Sequence, residues 1–313
     1  MKILVTGGAG FIGSHVARAY LAGGHEVVVV DDLSTGVRAN LDPAARFYQL
    51  DVQDPAIGEV FARERPEVLN HHAAQMDVRR SVADPIFDAR VNLLGLLNLM
   101  EHGRRHDLRR VIFASSGGTV YGEQEVFPAG ESDRTEPLSP YGVAKLASER
   151  YLGFYASVYA IPYVALRYAN VYGPRQNPHG EAGVIAIFAH RLLRKEPTTI
   201  NGDGEQTRDY VFVSDVARAN TLALESDYSG PLNIGTGVET DVNRLFHLLR
   251  REIDPSAPER HGPAKAGEAR RNSINPARAR AVLGWQPTVS LADGLRETVA
   301  SFRSQISGAQ GPP

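Results

Sequence analysis

The chain has 313 residues, and none of them is cysteine. Without thiols there can be no disulfide, thiolate nucleophile, iron–sulfur cluster or thiolate zinc site, so any redox chemistry must come from a bound cofactor. The residues after Met1 also lack the basic, apolar and cleavage regions of a secretory signal. We therefore expect a cytoplasmic protein.

An excess of basic charge is also missing. Lys and Arg number 34 against 36 Asp and Glu, which gives a formal net charge of −2. Such a chain has no overall field for holding phosphate backbones, so we expect no nucleic-acid partner. Its longest apolar stretch, Val91–Met100, is broken by two asparagines and is too short to span a bilayer. We therefore expect no membrane association.

Short β-branched runs alternate with helical patterns in the first half of the chain. The strand candidates are Ile3–Thr6, Val27–Val30, Phe47–Leu50, Val68–Asn70, Val111–Ser115 and Tyr163–Tyr168. The helical patterns lie at Ser14–Leu21, Val60–Glu64, Pro85–His102 and Pro140–Val158. This alternation predicts an α/β fold with a doubly wound parallel sheet of the Rossmann type.

After residue 168 the pattern loosens into segments rich in Gly and Pro. Helical patterns recur at Val184–Arg194, Ser214–Glu225, Val242–Glu252 and Ala292–Arg303. We expect a sheet domain over residues 1–168, joined by return segments from about 205–240. A smaller, mixed α/β lobe would occupy most of 169–313.

The segment Gly7-Gly8-Ala9-Gly10-Phe11-Ile12-Gly13 directly follows the first strand and opens a helix. Gly7 permits a tight turn, and Gly10 lets the backbone approach a pyrophosphate at the positive end of the helix. Gly13 lets the helix pack closely against the strand. The context predicts a dinucleotide site rather than a merely tight turn.

Acidic residues follow the next two strands. The second strand ends in Asp31 and Asp32, about 20 residues beyond the glycines, where a carboxylate accepts hydrogen bonds from ribose hydroxyls. A carboxylate there repels a 2′-phosphate, so NAD is favoured over NADP. Asp51 and Val52 follow the third strand and are candidates for contact with the adenine, although an aspartate there is commonly a turn residue.

A second motif, Ser139-Pro140-Tyr141-Gly142-Val143-Ala144-Lys145, has the signature of a helix start. Tyr141 and Lys145, four residues apart, then share one face of the helix. A tyrosine of pKa ~10 is a poor base, but a nearby ammonium and a nicotinamide cation both favour its phenolate. Such a phenolate can take a hydroxyl proton while the carbon gives hydride to NAD.

Four motifs in this order resemble those of the extended short-chain dehydrogenase/reductases. They are the glycine segment, the Tyr141–Lys145 pair, Leu166–Pro174 and Arg208–Val213. Within that family the chain is most similar to the bacterial UDP-galactose (UDP-glucose) 4-epimerase group, from Met1 to about Phe302. The resemblance implies an NAD-binding domain, a lobe for a sugar-nucleotide substrate, and a homodimer formed through two helices on the sheet face.

The resemblance also assigns roles to individual residues. Tyr141 is the implied acid/base, and Lys145 holds the nicotinamide ribose and lowers the tyrosine pKa. The residues implied to lie along the cofactor are Ala73, Ala74, Asn92 and Tyr168. Asn170 and Arg208 are implied to hold the nucleotide diphosphate, which suits an amide donor and an arginine fork.

One departure from the family pattern lies in the segment before Val120-Tyr121-Gly122. The family places a serine or threonine three residues before this valine, where it hydrogen-bonds the reacting hydroxyl, but here Gly117 stands there. We expect Ser116, Thr119 or a water to take over that role.

The second departure lies near the C-terminus, where the family's diphosphate-binding arginine aligns with Lys265 and the following acid with Glu268. Lysine keeps the charge but loses the bidentate fork. A bulky aromatic of the family's sugar pocket is replaced by Asn272 or Ser273, which leaves room for an N-acetyl group.

The expected function is NAD-dependent 4-epimerisation of a UDP-hexose, with a UDP-uronate as an alternative substrate. A 4,6-dehydratase or decarboxylase shares the first oxidation, but the Asp-Glu pair expected of a dehydratase is replaced by Gly118-Thr119. An NAD-binding sensor or scaffold is the non-enzymatic alternative, and it has little use for the Tyr141–Lys145 pair. His71 and His72 lack a third ligand at useful spacing, so no metal is expected.

Overall fold

The computed structural model describes residues 1–179, 183–264 and 269–308. The strands in this part of the chain are β1 (Lys2–Thr6), β2 (Glu26–Asp31), β3 (Arg46–Gln49), β4 (Val68–His71), β5 (Arg110–Ser116), β6 (Tyr163–Tyr168), β7 (Asn170–Tyr172), β8 (Ile200–Asn201), β9 (Thr207–Phe212), β10 (Gly230–Ile234), β11 (Glu239–Asp241) and β12 (His261–Gly262).

The α-helices of the same ranges are α1 (Phe11–Ala22), α2 (Ile57–Glu64), α3 (Val78–Ala83), α4 (Pro85–Ala89), α5 (Gly95–Arg105), α6 (Pro140–Tyr159), α7 (Val184–Leu193), α8 (Val213–Glu225), α9 (Val242–Ile253), α10 (Ala277–Leu283) and α11 (Leu291–Gly308). A short 3₁₀ helix covers Arg38–Asn40. Within the described ranges, no helix combines the length and hydropathy needed to cross a membrane.

Seven strands form one parallel sheet in the order β10-β6-β5-β4-β1-β2-β3. The order reverses between β1 and β4, where such sheets leave a ligand crevice at the carboxyl ends of their strands. The predicted α/β fold with a Rossmann-type parallel sheet is confirmed.

Both faces of the sheet are covered by helices, which follows from the nearly continuous apolar strands. In β1, Ile3 and Val5 point into a core shared with α1 and α8, while Leu4 points into a core shared with α2 and α5. These three side chains are fully buried. The two faces of one strand therefore fix helices on opposite sides of the sheet.

A smaller, mixed structure follows the main sheet. Strands β11, β9 and β7 form a three-stranded sheet, and β12 pairs with β8. A third core joins these strands to α7, α9 and α11. The segment 205–240 contributes to both structures, because β9 belongs to the small sheet while β10 lies beside β6 in the large one.

The expected single helix over Pro85–His102 is divided. The chain forms α4, a π-helical segment at Arg90–Leu94, and α5, which extends to Arg105. The carboxylate of Asp84 caps α4 by accepting a hydrogen bond from the Phe87 amide. The wider π turn forms a bulge between the two helices. Such π segments in helices are frequent at functional sites.

Candidate active site

The glycine segment forms a close backbone turn beneath an open space. Gly7 has φ of +69°, and a Cβ built on it would stand 2.6 Å from the Ala73 amide nitrogen. A Cβ on Gly13 would collide with the Gly7 carbonyl. On Gly10, which precedes the first turn of α1, an added Cβ meets only the Gly7 carbonyl within 4 Å. This cradle fits a pyrophosphate lying against the helix N-terminus, where Phe11 and Ile12 are half-buried.

The two aspartates at the end of β2 have different environments. Asp31 is buried, and its carboxylate accepts hydrogen bonds from the amides of Ala9 and Leu33, both at 2.9 Å. Burial raises the pKa of Asp31, although these two bonds lower it. Asp32 is exposed and accepts from the amide and hydroxyl of Ser34. Asp31 therefore ties the glycine turn to the end of β2.

Asp51 and Val52, the candidates for contact with the adenine, also have different environments. Asp51 is exposed, and its carboxylate accepts from the Gln53 amide at 2.8 Å, as a turn residue does. Val52 is buried and its carbonyl accepts from Asn98 at 2.9 Å. Val52 also lies next to Gly95 of α5. That either residue contacts the cofactor stays a prediction.

Tyr141 and Lys145 lie together at the start of α6. The Ser139 hydroxyl accepts from the Gly142 amide at 3.2 Å and so caps the helix, with Pro140 at its first position. The Lys145 Nζ lies 5.6 Å from the centre of the Tyr141 ring. The same Nζ donates a 2.8 Å hydrogen bond to the Ala114 carbonyl of β5. The helix start and strand end thus hold the pair as the sequence predicts.

Burial dominates the electrostatics of this pair. It lowers the pKa of Lys145 to about 8, although Asp88 and Glu149 act to raise it. Burial also raises the pKa of Tyr141, with a further increase from Asp88 and an opposing hydrogen bond from Ser116. Tyr141 therefore keeps its proton until additional positive charge approaches the ring.

Ser116, the last residue of β5, and Thr119, in the turn that follows, lie on either side of Gly117. Ser116 lies close enough to Tyr141 for its hydroxyl to act against the rise of the tyrosine pKa. Thr119 Oγ1 is buried and makes no hydrogen bond with any described residue. Gly142 packs against this turn, since a Cβ on it would stand 2.9 Å from the Thr119 carbonyl. Of the two candidates to replace the missing serine, Ser116 is the one that acts on the pKa of Tyr141.

Asn92 lies in the π-helical segment and is fully engaged within the protein. Its amide nitrogen donates to the Gln75 carbonyl and to the Asp88 carboxylate, each at 2.9 Å. Its oxygen accepts from the Gln75 amide at 3.0 Å. Asn92 thus supports the loop after β4, which contains the half-buried Ala73 and Ala74, rather than presenting a free amide.

Tyr168 ends β6 with its hydroxyl buried in a polar network. The hydroxyl accepts from Asn220 at 2.8 Å and lies 3.2 Å from His72 Nε2. The Ala73 amide donates to Thr6 Oγ1 at 3.3 Å, which joins the ends of β4 and β1. Tyr168, Ala73 and the glycine turn therefore lie at the carboxyl ends of β6, β4 and β1, on the same edge of the main sheet.

The predicted substrate residues lie around the small sheet. Asn170 begins β7, and its Oδ1 is 3.9 Å from a Cβ built on Gly118. Arg208 of β9 donates to the Thr207 carbonyl at 2.7 Å. The neighbouring Asp209 carboxylate accepts from Thr236 and Gly237 instead of pairing with Arg208.

Among the candidates near the C-terminus, the structure describes Asn272 and Ser273. Lys265 and Glu268 lie outside the described residues. Asn272 is buried, and its Oδ1 has no hydrogen-bond partner in the described ranges; the same holds for Ser273 Oγ. Unsatisfied buried polar atoms are costly, so these two point to a polar ligand nearby.

Two carboxylates near the pair were missed by the sequence analysis. Glu149 lies one helical turn beyond Lys145, a spacing that could have revealed it. Asp88 lies on α4, and its position in an apolar stretch gave no signal. No group of three or more His, Asp or Glu in the described chain is arranged to hold a metal.

Comparison with known proteins agrees with this geometry. The model of the NAD dependent epimerase/dehydratase family matches residues 3–235. A UDP-glucose 4-epimerase from Mycolicibacterium smegmatis is 46% identical, with 97% of this chain and 99% of that protein covered.

Two solved structures share the whole fold. UDP-glucose 4-epimerase from Thermotoga maritima, crystallised with UDP-glucose, is 47% identical with a TM-score of 0.96, covering 98% of this chain and 100% of that one. UDP-glucose 4-epimerase from Thermus thermophilus, in complex with NAD, is 43% identical with a TM-score of 0.92, covering 97% and 99%. The resemblance to the extended short-chain dehydrogenase/reductases and the choice of NAD as cofactor are confirmed. The chain belongs to the NAD dependent epimerase/dehydratase family.

Proposed function

We propose that this chain is an isomerase, an NAD-dependent UDP-hexose 4-epimerase that acts on UDP-glucose and UDP-galactose and also accepts their N-acetyl forms. The observation that carries the proposal is the buried Lys145 ammonium beside the Tyr141 ring, next to the glycine cradle. The similarity to proteins named UDP-glucose 4-epimerase supports the same reaction.

The proposed chemistry is proton transfer by the protein coupled to hydride transfer. NAD, when bound, supplies the group that accepts hydride from the sugar carbon and returns it. Tyr141 takes the proton of the 4-hydroxyl and later gives it back. The positive charge of Lys145 would favour its phenolate, and Ser116 acts in the same direction. The 4-keto sugar turns over between the two transfers, so the reaction has no net redox change.

The nucleotide must be held firmly while the hexose turns. Arg208 and Asn170 are proposed to bind the diphosphate, because a guanidinium fork and an amide both suit phosphate oxygens. Arg208 is half-buried, and its neighbour Asp209 is engaged elsewhere. The guanidinium donates to the Thr207 carbonyl and has no carboxylate partner among the described residues. Asn272 and Ser273 are smaller than an aromatic residue, and each has a side-chain oxygen without a hydrogen-bond partner among the described residues. Both features support room for a 2-N-acetyl group.

The test is to incubate the purified protein, without added NAD, with UDP-galactose and separately with UDP-N-acetylgalactosamine. The anomeric and H4 signals are followed by NMR. Appearance of the gluco epimer supports 4-epimerisation with retained cofactor, and the two rates compare the sugars. If neither substrate converts, even after NAD is supplied, the hexose proposal fails, and UDP-uronates or a catalytically silent NAD-binding protein become the alternatives.

We also propose a homodimer formed through α4 and α6, which pack side by side on one face of the sheet. One stripe of α6 is apolar and exposed, and it comprises Val143, Tyr151, Phe154 and Val158. These positions fall on one side of the helix, opposite its buried face. Ile86 of α4 is 65% exposed and extends the apolar surface. A second copy of the same surface would cover it symmetrically.

A further inference from the structure

Asp88 of α4 is a buried carboxylate with one satisfied oxygen and one free oxygen. The side chain is 1% exposed. Oδ1 accepts hydrogen bonds from Gln75 Nε2 at 3.1 Å and Asn92 Nδ2 at 2.9 Å. Oδ2 is enclosed and has no hydrogen-bond partner among residues 1–179, 183–264 and 269–308. A buried carboxylate in this condition is costly unless a cation is near.

The packing of α4 brings Asp88 toward the active-site helix. Helix α4 lies directly against α6. The backbone carbonyl of Asn92, the residue that holds Asp88 Oδ1, accepts from the Ser148 hydroxyl of α6 at 3.3 Å. Burial raises the pKa of Asp88, and the hydrogen bonds of Gln75 and Asn92 and the charge of Lys145 act against this rise. Lys145 is thus the cation whose charge acts on the Asp88 carboxylate.

The other carboxylate near Lys145 is already committed. Glu149 accepts from Arg167 at 3.0 and 2.6 Å, in a pair of which each side chain is at most 5% exposed. The Ser115 hydroxyl donates to the same carboxylate at 2.6 Å. Glu149 thus balances Arg167. Of the two carboxylates, Asp88 is the one that forms no ion pair within the described part of the chain.

The remaining groups around Lys145 offer no negative charge. From β4, His71 and His72 have lowered pKa values, in each case mainly because of burial, and that of His72 falls to about 3. Both imidazoles are therefore neutral at physiological pH. From β5, the Phe113 ring lies 4.7 Å from Lys145 Nζ. Tyr141 shares α6 and keeps its proton in this environment.

We propose that Asp88 is a positioning residue whose free carboxylate oxygen supplies the counter-charge that keeps the buried Lys145 as an ammonium. Its effect on turnover rests on the proposed function, whereas its effect on Lys145 does not. The same negative charge also raises the pKa of Tyr141. Asp88 therefore sets the pH range in which Tyr141 can act as a base while Lys145 is still a cation.

Asp88→Asn tests this proposal because it removes the charge and keeps an oxygen for Gln75 and Asn92. Loss of a nearby negative charge lowers the pKa of an acid, whether tyrosine or ammonium. We expect both limbs of the kcat/KM profile to move toward lower pH, by about one unit. Asp84→Asn is the matched control, since it removes an exposed carboxylate from the cap of the same helix and asparagine still caps.

A second measurement does not depend on turnover. The chain has four lysines, so ¹³C-lysine labelling gives few ¹³Cε signals, and that of Lys145 is identified by its loss in Lys145→Arg. Its titration midpoint should fall by about one unit in D88N and stay in place in D84N. Asp88→Ser is measured in the same way if D88N does not fold.

The two readouts separate the possible failures. An unchanged Lys145 midpoint in D88N overturns the counter-charge role, even if activity or melting temperature falls. A lowered midpoint in a protein that converts no UDP-sugar supports the role of Asp88 and contradicts the proposed function instead. If Asp88 had only a structural role, D88N would be less stable, and both pH limbs would stay in place.

Discussion

Gly117 lies against Ile274 so closely that a Cβ built on the glycine would stand 2.6 Å from Cδ1 and 3.0 Å from Cγ2 of the isoleucine. Ile274 is fully buried, so it has little room to move. The serine that the family places at this position would therefore overpack against Ile274. Ser116, whose hydroxyl acts to lower the pKa of Tyr141, remains the candidate for the role of that serine.

Gly117→Ser should consequently destabilise the protein by about 1–3 kcal/mol through overpacking. Ile274→Val removes the closest methyl group and alone costs about 0.5–1.5 kcal/mol. We expect the double variant to lose less unfolding free energy than the two single variants lose together, by at least about 0.5 kcal/mol. Urea unfolding of the four proteins measures this coupling. Strictly additive free energies would show that the two side chains do not compete.

Tyr141→Phe removes the proposed acid/base and leaves the ring. Turnover should fall by about 10²–10⁴-fold, the usual contribution of a positioned proton donor. The NAD content of the purified protein should stay the same, because the ring and Lys145 remain. Rates and cofactor released on denaturation are compared with Tyr151→Phe, which changes an exposed tyrosine of the same helix. A Y141F protein with normal turnover would remove Tyr141 from the mechanism.

The pKa of Lys145 predicts an alkaline limit of activity. Burial lowers this pKa to about 8, so the ammonium is present below that pH and is lost as the pH rises through it. Because the cation favours the Tyr141 phenolate, kcat/KM should decrease above about pH 8. Lys145→Arg keeps its charge throughout this range, so its residual activity should show no such decrease. An alkaline limb shared by both proteins must belong to another group.

The features that were predictable from sequence depend on local rules. Gly7 needs a left-handed backbone and Gly13 a close approach, and both requirements are visible in the spacing of the glycines. Tyr141 and Lys145 meet because residues four apart share a helix face. The first six strands were likewise found from apolar periodicity alone.

The features that were missed depend on contacts between distant segments. Strand β10 begins with Gly230 and Pro231, which argue against a strand except at a sheet edge, where β10 lies. Asp88 meets Lys145 only because α4 packs on α6. Ile274 reaches Gly117 from the other end of the chain, and a single sequence gives no sign of that contact.

The proposed dimer predicts a specific effect of Phe154→Arg. Phe154 is 46% exposed in the middle of the apolar stripe of α6. A charge in a buried interface is strongly unfavourable, so the variant should be monomeric at concentrations where the unchanged protein is dimeric. Light scattering after size exclusion gives the mass. Val37→Arg, an exposed apolar position away from α6, should leave the mass unchanged. A monomeric unchanged protein would contradict the dimer.

Arg208→Ala should separate nucleotide binding from chemistry. A hydrogen bond to a charged group contributes about 1.5–3 kcal/mol, which corresponds to a rise in KM of roughly 10–100-fold. The change in kcat should be small, because Arg208 is proposed to hold the diphosphate before and after proton transfer alike.

Arg208→Lys should recover part of the affinity, since it restores the charge without the bidentate fork. Arg244→Ala removes an exposed arginine of α9 and should leave KM unchanged. If R208A instead lowers kcat with an unchanged KM, the guanidinium acts on the reacting sugar, and the diphosphate must be held by other residues.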